Sequence, residues 1–364
     1  MAKLGEVCEV LDSKRVPITA ANRVSGQYPY YGANGVQDYV ADYIFDDELV
    51  LLAEDGGNFG SKEKPIAYRV SGKCWVNNHA HVLKPKAVID VDYLCYSLMF
   101  YDVSGLVNGA TRQKLTQSDM RKMEIPLRTM VEQKKIVCRL NKLTELISLR
   151  KQQLAKLDEL VKARYVEMFG DINVNNKKWM TYPLGELCTI VRGGSPRPIE
   201  RYLGGTIPWI KIGDATTGEN IYLNSTKEYI IEEGVKKSRM IKAGSLIFAN
   251  CGVSLGFARI ITFDGCIHDG WLAMEDIDEK LDKIFLLYSL NQMTEYFRKT
   301  APAGTQPNLN TNIMKMHRQI VPPMEMQKAF ISFVKCADRQ KQIVQQSLDK
   351  LELMKKALMQ EYFG

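Results

Sequence analysis

Two long segments of this sequence carry apolar residues in a regular 4-3 spacing. In residues 128–170 and 325–364, eight of the ten positions in this spacing are apolar, and Gly and Pro are absent until the last residue. A repeat of 3.5 residues is typical of helices that pair in a coiled coil. The predicted seam consists of Ile136, Leu140, Leu143, Ile147, Leu154, Leu157 and Val161, together with Phe330, Val334, Val344, Leu348, Leu351 and Leu358.

The two segments belong to an internal duplication of the chain. The matching blocks are 4–8 with 184–188, 51–60 with 247–256, 111–120 with 305–314, and 154–170 with 348–364. They keep their order along the whole chain, whereas the residues between them diverge. A shared scaffold that holds two different recognition surfaces would have this pattern.

Each long segment predicts a helix of about 60 Å, at 1.5 Å per residue. Either helix alone would expose its apolar stripe to water, and pairing with the other copy would bury both stripes. Because the halves are duplicated, we expect an antiparallel pair with pseudo-two-fold symmetry. The alternative is that each helix packs on its own globular domain.

The remaining residues, 1–127 and 171–324, predict two mixed α/β domains. Short β-rich runs at 49–53, 67–70, 246–249 and 257–263 lie between Gly, Asn and Asp turn residues. Helical patterns follow near residues 92–101 and 281–298. The predicted fold class is α+β, with two α/β domains joined by the two long helices.

Composition and charge change this picture little. The net charge of +7 is compatible with an anionic partner but does not identify one. No apolar run is long enough to span a bilayer and no signal peptide is evident, so we expect a cytoplasmic protein without membrane contact. The eight cysteines and four histidines do not cluster. The pair His79 and His81 lacks a third ligand nearby, so we expect no metal site.

The sequence contains no motif that predicts catalysis. It has no phosphate-binding loop of the type GxxxxGK[ST] and no evident Ser-His-Asp set. It also lacks a glycine-rich cofactor fingerprint with the Asn-Pro-Pro-aromatic motif of amine methylation. We therefore expect a binding protein that holds no cofactor of its own.

Several loops carry amide, aromatic and basic residues suited to DNA. Asn and Gln amides pair with adenine, whereas Arg and Lys bind guanine or phosphate. Such residues also form turns, and Tyr30 or Trp209 could equally belong to the core. The candidate DNA-binding residues are Tyr30, Tyr31, Asn34, Asn58, Lys62, Asn78, Arg112, Gln113, Lys114, Ser195, Arg197, Trp209, Lys211, Asn250, Ser254, Thr305, Gln306 and Asn308.

The chain resembles the specificity subunit of Type I restriction-modification enzymes over its whole length. The matching features are the Leu-Gly-Glu blocks at 4–6 and 184–186, the Gly-x-Thr loops at 109–115 and 304–309, and the endings at 168–170 and 362–364. The blocks 125–136 and 321–328 match the family's Pro-then-Glu-Gln-Lys entry into the conserved helices. The second block departs from this pattern, since Met326 stands in place of Glu132 and two residues are missing before the Gln.

The resemblance implies a division into target-recognition domain 1 (1–127), spacer helix 1 (128–170), target-recognition domain 2 (171–324) and spacer helix 2 (325–364). Each domain would read one half of an asymmetric, bipartite site in double-stranded DNA. The helices would set the gap between the halves and dock methyltransferase subunits, for which we expect two copies. This chain would be the non-catalytic recognition subunit.

The resemblance also implies cofactors in the partner subunits. The methyltransferase would bring S-adenosylmethionine, and a restriction subunit, if present, would use ATP with magnesium. One alternative is the targeting subunit of a two-part restriction system whose partner is a fused methyltransferase-nuclease. Others are a coiled-coil adaptor that binds proteins and not DNA, and an enzyme whose motif is not evident.

Overall fold

The computed structural model describes residues 1–109, 113–216, 221–252, 255–301 and 308–364. Contacts divide the chain into two compact units. The first unit contains Met1–Lys151 and Gln346–Gly364, and the second contains Gln152–Gln345. Each unit therefore includes one α/β domain together with part of each long helix.

The first unit contains ten strands and three short α-helices among its described residues. The strands are β1 Ala2–Lys3, β2 Cys8–Val10, β3 Ser25–Gly32, β4 Gly35–Val40, β5 Phe45–Ala53, β6 Ala67–Val76, β7 Ala80–Pro85, β8 Val107–Asn108, β9 Lys114–Leu115 and β10 Glu124–Ile125. The helices are α1 Leu4–Val7, α2 Val91–Met99 and α3 Gln117–Lys122.

Six of these strands form the main sheet of the first unit, in the order β2-β7-β5-β6-β3-β4. Neighbours are antiparallel except for the parallel pair β3 and β6. Alternate residues of β5 face opposite sides, so Val50 and Leu52 join one core and Leu49 and Leu51 another. Because both faces of β5 are covered, its run of apolar residues is continuous.

The second unit contains eleven strands and five short α-helices among its described residues. The strands are β11 Thr181–Pro183, β12 Thr189–Arg192, β13 Leu203–Ile210, β14 Tyr222–Leu223, β15 Glu228–Ile230, β16 Arg239–Ile241, β17 Leu246–Ala249, β18 Ala258–Ile261, β19 Gly265–Ile267, β20 Trp271–Glu275 and β21 Arg318–Ile320. The helices are α5 Leu184–Leu187, α6 Glu232–Val235, α7 Lys283–Gln292, α8 Thr294–Thr300 and α9 Thr311–Met316.

Two larger sheets organise the second unit, with strand orders β12-β20-β17-β18-β14 and β15-β13-β19-β16. Strand β17 corresponds to β5 of the first unit. Its residues alternate in the same way, with Leu246 and Phe248 in one core and Ile247 and Ala249 in another. The predicted strands at 49–53, 67–70, 246–249 and 257–263 therefore lie in or around β5, β6, β17 and β18.

The two long helices are α4 Met130–Phe169 and α10 Met324–Phe363. In the first unit, Arg139 Nη1 donates to the Tyr362 hydroxyl at 2.9 Å, and Lys151 pairs with Glu352 at 2.8 Å. As the residue number rises along α4, the number of its partner on α10 falls. The helices are therefore antiparallel in this unit.

The same direction holds in the second unit. Lys341 forms an ion pair with Asp158, and the rings of Tyr165 and Phe330 lie 5.3 Å apart. The prediction of an α+β fold with two long antiparallel helices is confirmed. The alternative, in which each helix packs only on its own domain, does not describe the structure, because both helices contribute to both units.

The seam positions differ in how deeply they lie. Ile136, Leu140, Leu143, Val161, Phe330, Val334, Val344 and Leu348 are buried. Ile147, Leu154, Leu157, Leu351 and Leu358 are partly buried. Among the described residues, no helix is both long and apolar enough to cross a membrane.

A buried glutamine fixes the start of each long helix against its α/β domain. Gln133 accepts a hydrogen bond from the backbone N–H of Asp90 at 2.8 Å, and Gln327 accepts one from Asp282 at 2.9 Å. Both glutamines are fully buried. This shared contact gives a physical reason for the Gln in both copies of the helix-entry motif.

Glu132, which the second copy lacks, has a separate role. Its carboxylate accepts from the Thr129 backbone N–H at 3.0 Å and from the Thr129 hydroxyl at 2.7 Å, which caps the start of α4. The start of α10 follows Pro322 and Pro323. Since proline has no N–H to satisfy, Met326 can replace the capping glutamate there.

Candidate nucleic-acid interface

Four chain segments of the first unit meet beyond β5. The Asn34 side-chain amide donates to the Gly56 carbonyl at 3.0 Å, which joins the β3–β4 turn to the loop after β5. The backbone N–H of Glu54 donates to the His79 carbonyl at 2.9 Å, and that of Leu115 donates to the Glu54 carbonyl at 2.7 Å. The candidate loops of this unit are therefore neighbours in space.

The structure separates the candidate residues of the first unit into surface and interior. Asn34, Lys62, Asn78, Gln113 and Lys114 are exposed, and Tyr31 and Asn58 are partly buried. Tyr30 is 1% exposed, and its hydroxyl accepts from the Ile18 N–H at 2.9 Å. Tyr30 is thus a core residue that supports the turn. It is not the exposed side chain that a direct contact with DNA would require.

The carboxylate of Glu54 forms ionic contacts with Arg15 and with Lys114, which holds Lys114 at the surface. The Glu54 carboxylate accepts from Arg15 Nη1 at 2.5 Å and pairs with the Lys114 ammonium at 3.0 Å. Burial alone would raise the pKa of Glu54, but its hydrogen bonds to Arg15 and Lys114 outweigh burial and hold that pKa below its ordinary value. The half-exposed Lys114 lies beside Gln113, where its ammonium group can bind a phosphate.

The second unit gathers its basic residues around Asp269. The Ser195 hydroxyl donates to Asp269 Oδ1 at 2.9 Å, and Arg192 Nε donates to the Asp269 carbonyl at 3.0 Å. Arg197 lies 3.6 Å from the carboxylate, and its side chain is 83% exposed. This weak, exposed contact leaves the Arg197 guanidinium able to bind a phosphate or a guanine.

A buried tryptophan lies beneath this basic surface. Trp209 is 4% exposed, the ring of His268 is 5.5 Å from its ring, and the Lys211 ammonium is 5.7 Å from its ring centre. Trp209 therefore belongs to the core, which is one of the two interpretations that the sequence left open. Its ring is not exposed, as a direct contact with DNA would require. Lys211 is partly buried and forms an ion pair with Glu228.

His268 is neutral at physiological pH. Burial is the main cause that lowers its pKa, and the cations of Lys211, Arg197 and Arg192 lower it further against the opposing charge of Asp269. The positive charge of this surface therefore comes from arginine and lysine and not from histidine.

A neutral amide pair occupies the place that Glu54 and Lys114 have in the first unit. The Leu309 N–H donates to the Asn250 carbonyl at 2.8 Å, as the Leu115 N–H does to the Glu54 carbonyl. The Asn250 side-chain amide donates to Asn308 Oδ1 at 3.2 Å. Asn250 is fully buried, so it positions the partly buried Asn308 and does not itself reach the surface.

Four further candidates, Arg112, Ser254, Thr305 and Gln306, lie outside the described residues. Sequence reasoning missed Arg15 and Arg192, which contact Glu54 and Asp269, two residues that are distant in sequence. It also missed the contacts of His81, whose Nδ1 lies 2.6 Å from Asp12 Oδ2 and whose Nε2 lies 2.9 Å from the Leu115 carbonyl oxygen. The motif at the helix entry did mark Gln133 and Gln327, although their contacts could not be predicted from it.

Taken together, each unit presents amides and cations on loops that a rigid sheet supports. Such groups can bind base edges and phosphates. The backbone contacts that join the loops are shared by the two units, whereas the side chains on them differ. This arrangement suits the recognition of two unlike segments of one polyanion.

Comparison with known proteins identifies the family. The model of the Type I restriction modification DNA specificity domain matches residues 1–159 and again 176–353. The chain therefore belongs to the Type I restriction-modification specificity family. The double match agrees with the internal duplication.

Two relatives align with nearly the whole chain. A type I restriction enzyme specificity subunit assigned in Haemophilus influenzae is 28% identical over 348 residues, covering 91% of this chain and 85% of the relative. The MjaVIII specificity subunit of Methanocaldococcus jannaschii is 22% identical over 396 residues, covering 99% and 90%.

Solved structures share the fold. The S subunit of a Type I system from M. genitalium has a TM-score of 0.58 at 15% identity, with 100% of this chain and 95% of that chain covered. A chain from a structural study of type I restriction-modification complex assembly has a TM-score of 0.62 at 17% identity, with 100% and 96% covered.

Proposed function

We propose that this specificity subunit reads a bipartite, asymmetric site in double-stranded DNA, one half with each unit. The observation that carries the proposal is the pair of corresponding loop clusters with different side chains. Glu54 and Lys114 of the first unit are replaced by Asn250 and Asn308 of the second. Since amides and cations make different contacts with base edges, the two half-sites should differ in sequence.

The long helices are the proposed docking surface for two methyltransferase subunits. Large apolar side chains on these helices remain exposed in the chain alone, which favours a protein partner. They are Val131, Leu146, Leu149, Leu160, Val166, Ile343, Leu353 and Met354. A restriction subunit could join the same complex.

The chemistry of the complex is proposed to lie in its partners. The methyltransferase would supply S-adenosylmethionine, and a restriction subunit would use ATP with magnesium. This chain would contribute no catalytic group and would act by placing the partner on the DNA. The proposal includes a cytoplasmic location, where the chromosomal DNA of a bacterium or archaeon lies.

The test is a co-purification followed by DNA binding at several salt concentrations. The chain should co-purify with its methyltransferase, and the complex should bind duplex DNA with an affinity that falls steeply as salt rises, because counterions are released. A complex that forms but binds DNA weakly and independently of salt would support the adaptor hypothesis and contradict this proposal.

A further inference from the structure

We propose that Gln37 is a specificity-determining residue of the first unit, which donates from its side-chain NH2 group to a guanine in one half-site, and that the buried Asn77 orients this group. The inference rests on the proposed DNA-recognition function and names one base contact within it. It starts from two side-chain amides that form a hydrogen bond with each other.

Gln37 lies in the loop cluster of the first unit. It is an exposed residue of β4, just after the turn whose Asn34 amide donates to the Gly56 carbonyl. Its partner Asn77 lies in the turn between β6 and β7, directly before the exposed Asn78. The Gln37 amide is therefore placed among segments that carry other candidate contacts with DNA.

A backbone donor fixes the orientation of both amides. The His79 N–H donates to Asn77 Oδ1 at 2.8 Å, and a backbone N–H can only donate. With its oxygen on this side, Asn77 donates from Nδ2 to Gln37 Oε1 at 3.1 Å. Since Oε1 accepts from Asn77, the NH2 group lies on the other side of the Gln37 amide and can donate to a ligand.

Asn77 is a rigid support for this contact. It is 3% exposed, and its own N–H donates to the Tyr31 carbonyl at 3.0 Å. The residue is thus held by β3 through its backbone and by the His79 N–H through its side chain. Ordering the Gln37 amide before DNA binds lowers the entropy cost of the contact, so more of its free energy can serve discrimination.

A fixed NH2 donor favours guanine over the other bases. The major-groove edge of guanine carries two acceptors, N7 and O6, whereas cytosine presents an amino donor, and thymine presents one acceptor beside a methyl group. The usual pairing of glutamine with adenine needs the amide oxygen as an acceptor for the adenine amino group. In Gln37 that oxygen already accepts from Asn77.

The second unit has a different side chain at this place. His268 occupies the position of Asn77, because its N–H donates to the Ile210 carbonyl at 3.0 Å and its Nδ1 accepts from the Gly270 N–H at 2.9 Å. These contacts repeat those of Asn77 with β3 and with the turn before β7. An imidazole thus replaces the supporting amide, and we expect the guanine contact in one half-site only.

The experiment uses the complex of the full chain with its methyltransferase and a target identified by methylation profiling. Affinity is measured for the target and for DNAs in which each specified base pair is replaced in turn. Gln37→Leu, which has a similar size but no amide, should lose about tenfold in discrimination at one G·C pair of one half-site. Discrimination at every other position should stay as in the wild type.

Gln27→Leu is the matched control. Gln27 is an exposed glutamine on the neighbouring strand β3. It lies towards the other end of the β3–β4 hairpin, since Tyr28 pairs with Val40 whereas Gly32 pairs with Gly35 beside the turn. This variant should keep the discrimination of the wild type at every position.

Two further variants test the orientation of the amide. A Cβ atom at Gly32 would overlap the Gln37 Nε2 atom, so Gly32→Ala should displace the amide and reduce the same discrimination while the glutamine remains. Asn77→Asp keeps an acceptor for the His79 N–H but replaces the donor to Gln37 with an acceptor. The Gln37 amide should then turn over, and the preferred base should change from guanine to one with an amino group.

Three outcomes would overturn the inference. They are unchanged discrimination at every position in Gln37→Leu, an equal loss at all positions in that variant, or a relaxed position that is A·T in the wild-type target. Gln37→Leu decides the matter even if Asn77→Asp does not fold, because Gln37 is exposed. A failure of the proposed function would look different, since the wild-type complex would then have no target with two half-sites.

Discussion

At the residue scale, the exposed Arg197 of the second unit is the simplest phosphate contact to test. Arg197→Ala should weaken binding to all DNA sequences alike and lower the slope of log affinity against log salt by about one, because about one counterion fewer is released. Binding titrations at several salt concentrations measure both effects.

Lys242→Ala is the matched control for Arg197→Ala. Lys242 is 80% exposed and pairs with one carboxylate, Asp264, as Arg197 does with Asp269. Lys242 lies in the turn before β17. The basic surface around Asp269 adjoins the other end of β17, at the segment that follows this strand. An equal loss of affinity in both variants would contradict the placement of the interface.

A partly buried histidine, His317, should make the second unit sensitive to acid. Burial lowers the pKa of His317 to about 4, and among the described residues its Nε2 has no hydrogen-bond partner. The unfolded chain therefore binds the proton more tightly than the folded one. Stability should fall as the pH drops from about 6.5 towards about 4, by up to roughly 3 kcal/mol.

Unfolding measured by urea across this pH range, with His317→Phe for comparison, tests the effect. The phenylalanine can keep the packing against Phe297, whose ring lies 5.1 Å from the imidazole. His317→Phe should lose the part of the acid dependence that His317 causes. An unchanged pH dependence in the variant would show that other groups are responsible.

Sequence reasoning at this scale predicted exposed residues in the surface loops and left Tyr30 and Trp209 open between surface and core. Asn34, Lys62, Asn78 and Gln113 are exposed as expected, since polar turn residues seldom lie in a core. Tyr30 and Trp209 lie in the core, which the sequence could not decide because large aromatic rings occur both in cores and at binding surfaces. The contacts of Glu54 with Arg15 and Lys114 could not be predicted, because these residues are distant in sequence.

At the element scale, the seam of the helix pair offers a test with an internal control. Leu348 is 5% exposed and Leu353, on the same helix, is 68% exposed. Leu348→Asp should destabilise the protein by about 3–5 kcal/mol, because it removes apolar packing and buries an unpaired carboxylate. Leu353→Asp should change stability by less than about 0.5 kcal/mol.

Chemical denaturation of both variants supplies the comparison. Equal destabilisation would mean that the charge disturbs α10 itself and not its packing. The 4-3 spacing predicted both long helices because a regular apolar repeat is a local property of the sequence. It could not predict that each helix is shared between two compact units, which depends on contacts with the α/β domains.

At the scale of the whole molecule, the lengths of α4 and α10 should set the gap in the DNA target. An insertion of about one helical turn in both helices adds roughly 6 Å, which is close to two base pairs of duplex. The methylated motif should then gain about two unspecified positions while both half-sequences stay the same. Altered half-sequences would contradict the role of the helices as a spacer.

An insertion of the same length between Asn173 and Val174 is the control. Both residues are exposed and lie after the end of α4. This variant should keep the gap of the wild type, since it lengthens a surface connection and not a spacer helix. A change in the gap here would mean that chain length outside the helices matters.

The most direct test of the central claim is to profile DNA methylation in a methylation-free host that expresses this chain with its methyltransferase. If one chain reads two half-sites with two unlike units, the modified adenines should define one gapped motif with two different halves. A continuous motif, a palindromic motif, or no motif when both proteins are expressed and folded would contradict the account.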